Sequence, residues 1–371
     1  MNIGLITSPM ETIPSLKVYI TNLVRNLNMV DNENDYYLIH HSKMHLDVYD
    51  VGKEIISDPP NMVFGNLWWK YHTLPKDLKS CDLDLVHDTQ GISTFFIKND
   101  PNYKKVITIH DLSSLVFPKM HVRGMLSDKI LGHRTMKNAD KIITVSKSTK
   151  DDLIKYFKAP EEKIKPIYLG VDEKFRVLDH NQVRNFKTEY NLDFPFILYF
   201  GVLRSRKNVP TLIKAYKLLK KDENDHKLVI SGGKNQEYKK IFNIVKDLHL
   251  ENDVIFTGYM PDEVLPELFN AADLFVFPSL YEGFGLPPLE AMACGTPVIT
   301  SNVSSLPEVV GDAGLMVDPY DVPGLKDAMN TILSDLDLRM EMVKKGLERS
   351  KQFTWKKCAL ETMNVYKEVL G

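Results

Sequence analysis

The sequence predicts an α/β fold of two doubly wound, parallel, Rossmann-like sheets facing each other across a cleft. Three observations carry that prediction. Short apolar, β-branched runs alternate with amphipathic stretches along almost the whole chain, as in strands buried on both faces. The runs fall into two sets of five, separated by a looser segment. At 371 residues the chain is long enough for two or three cores.

In chain order, the first half carries "IGLIT" (3–7), "YYLIH" (36–40), "LDLVHD" (83–88), "KVITIHD" (105–111) and "KIITVS" (141–146). The second half carries "PFILYFG" (195–201), "HKLVISGG" (226–233), "DVIFTG" (253–258), "DLFVFPS" (273–279) and "TPVITS" (296–301). Between most of them lie helical stretches such as "SLKVYITNLVRNL", with apolar residues at three- and four-residue steps. Such alternation implies parallel sheets covered by helices. The stretch "YLGVDEKFRVLDHNQVRNFKTEYNLDF" reads as the connection between two domains. We place these at residues 1–172 and 173–354, with residues 355–371 forming a last helix that has Thr354 as its N-cap. Ligands of doubly wound folds bind at the carboxyl ends of strands. Informative residues should therefore follow strands.

Composition narrows the function. The hydrophobic share is 43% and the charged share 26%, as in soluble globular proteins. A net charge of −2 argues against a general nucleic-acid binder. Cys81, Cys294 and Cys358 are scattered without metal spacing, which suggests a reducing compartment. "MNIGLITS" reads as a first strand and not as a signal peptide. No apolar run approaches the roughly 18 residues needed to span a bilayer. The expectation is a cytosolic protein, or one that touches the inner face of a membrane.

The most informative stretch is "FPSLYEGFGLPPLEAMACGTPVIT", Phe277–Thr300. Pro287 and Pro288 suit the first turn of a helix, and Gly295 suits its end. Glu282 then lies in the loop before that helix and Glu290 within its first turns, both facing one mouth. Gly283 and Gly285 leave backbone N–H groups unshielded beside a helix N-terminus, which attracts anions. Two acceptor carboxylates flanking an anion site suit a ligand with hydroxyls and phosphate.

Other constellations are weaker. Arg204, Arg206 and Lys207 follow "ILYFG" and form either a solvated basic loop or a diphosphate clamp. Gly232 and Gly233 end a strand; they either relieve crowding or let a ligand approach the main chain. His110 ends "VITIHD" and is either structural or a polar catalytic group. His40 and His41 lack a third ligand nearby in sequence. Asp82–Asp84 has the look of a metal-holding acidic triplet but precedes its strand, so no metal site is expected. Trp68, Trp69 and Tyr71 beside lysines are either helix packing or an aromatic–basic patch for a membrane surface.

These residues match a known family. "YEGFGLPPLEAMACGTPVITSNVSSLPEVVGDAGLMVDP" resembles the signature of the retaining group 1, or family 4, glycosyltransferases, which have a GT-B fold. Its Glu-x7-Glu motif is Glu282 and Glu290. The resemblance covers nearly the whole chain. "YFGVLRSRKNVPTLIKAY" resembles the phosphate loop, "ADKIITVSKSTKDDLIKYF" the strand and helix before the linker, "YLGVD" the linker entry, and "FTWKKCALETMNVY" the closing helix that crosses back to the first domain. The sequence departs from the family at Pro14 and Ser15, where a glycine pair is frequent, and at Val202, where arginine is frequent; Arg204 or Arg206 would compensate.

The resemblance implies a donor-binding second domain and an acceptor-side first domain. Glu290 would hold the ribose hydroxyls of a nucleotide-sugar, and Glu282 the transferred sugar. The amides around Gly283, Phe284, Gly285 and Leu286 would approach sugar and phosphate. Arg206 and Lys207 would neutralise the diphosphate, aided by Arg204, with Gly232 and Gly233 beside the nucleotide and His110 at the sugar. It implies metal-independent hexose transfer, of mannose or glucose type, from a GDP- or UDP-sugar co-substrate to a saccharide or lipid-linked acceptor, with no further cofactor. Two other readings stay open: a nucleotide-sugar epimerase of the same fold, and a non-catalytic donor-binding subunit.

Overall fold

The computed structural model describes residues 1–11, 13–42, 47–62, 65–91, 103–117, 122–222, 224–233 and 237–371. The chain forms two compact units, Met1–Gly170 with Thr354–Gly371, and Val171–Phe353.

The first unit holds a parallel sheet of β1 (Asn2–Ile6), β2 (Asp35–His40), β3 (Lys53–Ile56), β4 (Leu85–Asp88), β5 (Lys104–Ile109), β6 (Lys141–Thr144) and β7 (Ile164–Pro166). Their order is β3-β2-β1-β4-β5-β6-β7. Leu5 pairs with Leu38 on one side and His87 on the other, so the apolar runs are central strands, fully covered. The second unit holds β8 (Phe196–Phe200), β9 (Lys227–Ser231), β10 (Val254–Gly258), β11 (Leu274–Phe277), β12 (Val298–Ser301) and β13 (Leu315–Val317), in the order β10-β9-β8-β11-β12-β13.

The α/β class and the doubly wound parallel sheets are as expected, but the strands number seven and six instead of five and five. The ten expected runs are all strands. The three additional ones, β3, β7 and β13, are three or four residues long and lie at sheet edges. "KEII" and "LMV" are partly solvated there, so they lack the continuous apolar signature of a buried strand.

Strand order reverses between β8 and β11, so the loops leaving these two strands diverge and open a crevice at their carboxyl ends. Those loops are residues 201–208 and 278–285.

The last helix, Trp355–Leu370, starts at Thr354, whose hydroxyl accepts the Lys357 N–H at 3.1 Å. It packs on the helix Pro14–Val30 in the first unit, where the Tyr19 and Trp355 rings lie 6.3 Å apart. Pro14 and Ser15, expected in the loop after β1, instead open that helix, because proline suits a helix's first turn; a 3-10 turn, Ser8–Glu11, precedes them, and Thr12 lies outside the described residues. The aromatic pair does not form a common surface. Trp69 is buried and donates to Ser57 Oγ at 2.8 Å, while Trp68 is exposed and meets the His72 ring at a tilt, with centroids 4.1 Å apart. Asp84 accepts the Asn2 N–H at 2.7 Å, and Asn2 donates to the Asp82 carbonyl, so the acidic stretch clips β1 in place. Among the described residues no group of three potential metal ligands gathers. Nor is any described helix long and apolar enough to cross a membrane.

Candidate active site

The site begins with the crevice between β8 and β11. The loop after β8 tightens into a 3-10 turn, Ser205–Lys207, ended by Asn208 in the left-handed conformation with φ +58°. Asn208 then ties this loop to its neighbours. Its amide donates to the Pro278 carbonyl at 3.1 Å and the Pro319 carbonyl at 2.6 Å. The Leu280 N–H donates to the Arg206 carbonyl at 2.8 Å, so the two loops are joined through backbone as well.

This cross-link brings three charges together. Glu282 accepts from Arg206 Nη1 at 3.0 Å and from Lys207 Nζ at 2.6 Å, one cation on each carboxylate oxygen. Arg206 Nη1 also donates to the Tyr281 carbonyl at 2.8 Å. Lys207 Nζ lies 4.7 Å from the centre of the Phe277 ring. All three charged side chains are largely withdrawn from solvent. Burial alone would raise the Glu282 carboxyl, but Lys207 and then Arg206 outweigh it and hold it below the ordinary carboxylate range. Glu282 is therefore ionised, and the cluster keeps one positive charge in excess, two cations less one anion. That excess suits an incoming anion.

Backbone fixes the rest. Ser304 Oγ accepts the Glu282 N–H at 3.0 Å, and Ser305 Oγ donates to the carbonyls of Glu282 and Phe284. Gly285, at φ +118°, turns the chain into the helix Leu286–Ala293, with the two prolines in its first turn and Gly295 just beyond its end. Gly232 is packed against the loop: a Cβ there would stand 2.0 Å from the Gly201 carbonyl oxygen. Gly233 instead faces open space. Arg204 caps the 3-10 turn with its side chain exposed, outside the buried charge cluster.

Glu290 sits on the helix in different company. Burial pushes its carboxyl up to about 8, Lys174 opposes this, and Asp262 and Asp172 add to it. His110 lies just past β5 in the first unit. Its Nε2–H donates to the Thr89 carbonyl at 2.9 Å, which leaves Nδ1 as the ring's acceptor, and the Tyr19 ring meets it edge-on at 4.7 Å. Burial lowers its pKa, although the Thr89 carbonyl and Asp111 pull the other way.

Sequence reading missed Asn208, Ser304 and Ser305. An asparagine before "VP" and a serine pair before "LPE" carry cap-like signals, but their long-range partners have none.

The family model for glycosyl transferases group 1 matches residues 182–349, and that for glycosyltransferase family 4 matches residues 16–175. The chain is 36% identical over 283 residues to the O-antigen chain mannosyltransferase B of Escherichia coli, covering 73% of this chain and 74% of that one. The chain belongs to the group 1 glycosyltransferases. Among solved structures, sucrose-phosphate synthase from Thermosynechococcus elongatus superposes with a TM-score of 0.81 at 22% identity, covering 100% of this chain and 99% of the other. Anabaena HepE in complex with UDP-glucose gives 0.80 at 18% identity, covering 99% and 100%. These likenesses establish the GT-B fold. As a group 1 glycosyltransferase the chain is a transferase, and its Glu282, Arg206 and Lys207 stand at the carboxyl edge of the second sheet.

Proposed function

We propose that this glycosyltransferase moves a hexose, of mannose or glucose type, from a GDP- or UDP-sugar to a saccharide or lipid-linked acceptor hydroxyl, with retention, in polysaccharide or glycolipid synthesis. The observation that carries the reading is the Glu282–Arg206–Lys207 cluster at the strand-order reversal, with its excess positive charge beside a glycine-capped helix start. The similarity to an O-antigen mannosyltransferase favours mannose.

Departure of the leaving group places charge on the diphosphate. Arg206, Lys207 and the amides from Gly283 to Leu286 would stabilise that charge as it grows, with Arg204 reaching in from the rim. Cations already gathered at the site by Glu282 before the donor binds leave little reorganisation for the bond-breaking step. Glu282 has a cation on each oxygen, which suits it poorly to act as a nucleophile. This supports a front-face route, in which a donor phosphate oxygen helps to deprotonate the acceptor. Glu290 is assigned to the ribose hydroxyls, Gly233 to close approach of the nucleotide, with Gly232 packed against the loop that presents the cations, and His110 to the sugar-transfer step. With protein cations serving the phosphates, no metal is required. Exposed Trp68 is the ring left for contact with a membrane surface.

The test is release of free nucleotide from GDP-mannose, UDP-glucose and their relatives, with and without saccharide acceptors. Acceptor-dependent release is expected. Interconversion of the sugar without release would indicate an epimerase, and binding without turnover a partner subunit.

A further inference from the structure

Beneath the charge cluster lie hydroxyls that the fold itself does not use. Tyr199, near the end of β8, and Ser279, just past β11, are both fully buried, and among the described residues neither Tyr199 Oη nor Ser279 Oγ has a hydrogen-bond partner. Buried polar groups are ordinarily satisfied, so an unpartnered pair at one site points to a state in which they are. Their placement says which state. The Tyr199 ring stacks on Phe277 at 6.2 Å, the same ring that carries Lys207 Nζ at 4.7 Å. Tyr199 Oη lies 3.3 Å from where a Cβ on Gly201 would stand, at the root of the loop that presents Arg206 and Lys207. Burial raises the Tyr199 hydroxyl, with the Glu282 charge adding and Arg206 opposing, which places that hydroxyl in the field of the pair. Ser279 Oγ is close enough to help lower Glu282, yet it makes no hydrogen bond of normal geometry.

We propose that Tyr199 and Ser279 are positioning residues of the diphosphate site, whose hydroxyls take over the Glu282 carboxylate when Arg206 and Lys207 turn to a bound diphosphate. The inference rests on the donor reading above. In the free protein Glu282 occupies both cations. A diphosphate competes for them, and a buried carboxylate deprived of its partners is strongly unfavourable. Tyrosine and serine each supply one O–H donor, one for each carboxylate oxygen. The hand-over keeps Glu282 ionised and lets both cations face the phosphates.

The test uses the full chain, with UDP and GDP as probes in calorimetry and thermal unfolding of the free protein alongside. Of the variants Tyr199→Phe and Ser279→Ala, the first should leave the Tm of the free protein at or above the parent's, because Tyr199 Oη makes no native hydrogen bond. Each should weaken nucleoside diphosphate binding by about tenfold or more, the loss of a hydrogen bond to a charged group. In a Glu282→Gln background the same substitutions should change affinity less than about twofold, since the charge they serve is gone. Undiminished affinity in Tyr199→Phe and Ser279→Ala would overturn the proposal, as would an equal loss with Glu282→Gln already present. A parent protein that binds neither nucleotide would instead overturn the donor reading, and this proposal with it.

Discussion

Glu282 and Glu290 stand eight positions apart, yet their surroundings push their carboxyls in opposite directions. Glu282 is held ionised by two cations, whereas burial keeps Glu290 protonated to about pH 8. The consequence for stability has a definite sign. Between the ordinary 4.5 and about 8, folded Glu290 holds a proton that the unfolded chain has released. Its contribution is therefore full below 4.5 and lost as pH rises through 8. Glu290→Gln removes this dependence, so its Tm relative to the parent should climb from pH 5 to about pH 8 and level off above it; a constant difference across that range would contradict the assignment. Binding follows the same logic. Ribose hydroxyls donate to an ionised carboxylate, so nucleotide affinity should rise with pH towards 9, and Glu290→Ala should weaken it about ten- to a hundredfold. Calorimetry at several pH values checks both. At this scale the sequence was informative: "YEGFGLPPLE" placed both carboxylates and the helix start. It could not show that Glu282 occupies Arg206 and Lys207, because that contact joins residues 75 and 76 positions apart.

At the scale of elements, the loops after β8 and β11 matter more than the strands they leave. Gly232 is wedged against the Gly201 carbonyl, and that neighbour is backbone, which yields little. Gly232→Ala should destabilise the protein by about 1–3 kcal/mol, as overpacking does, and distort the loop that presents the cations. Gly233→Ala meets nothing within 4 Å and should leave Tm within about a degree of the parent's, any loss appearing in nucleotide binding alone. Equal Tm losses in both would remove the distinction between packing and approach. The glycine pair was visible in the sequence, but its division of labour was not, since only one of the two touches another strand's loop. The edge strands escaped for a related reason: "KEII" and "LMV" are too short and too solvated to display a buried period. The central strands were legible because burial on both faces leaves no choice but apolar residues.

At the scale of the whole molecule, the chain passes through the second unit and returns to the first with its last helix. Tyr366 of that helix bonds His87 Nδ1 at 2.6 Å, and His87 Nε2 meets Thr108 Oγ1 at 2.7 Å. Thr108 meets the Tyr19 hydroxyl at 3.0 Å, and Tyr19 packs on His110. The first unit is thus built around a buried polar chain that ends at the histidine assigned to transfer. His110→Ala should leave nucleoside diphosphate affinity nearly unchanged and reduce transfer severely, a split that combined binding and turnover measurements would reveal. Because the acidic stretch at Asp82–Asp84 holds β1, activity should also survive EDTA; complete loss restored by Mn²⁺ or Mg²⁺ would contradict a cation-only mechanism.

The central claim is that Arg206 and Lys207 stabilise charge that grows on a diphosphate leaving group. Steady-state kinetics of Lys207→Ala with the donor that the parent uses test it most directly. If the interaction strengthens towards the transition state, kcat should fall by about a hundredfold or more while KM changes only a few-fold. Normal kcat with only a raised KM would contradict the account, for it would mean that the cluster binds the donor without taking part in its cleavage.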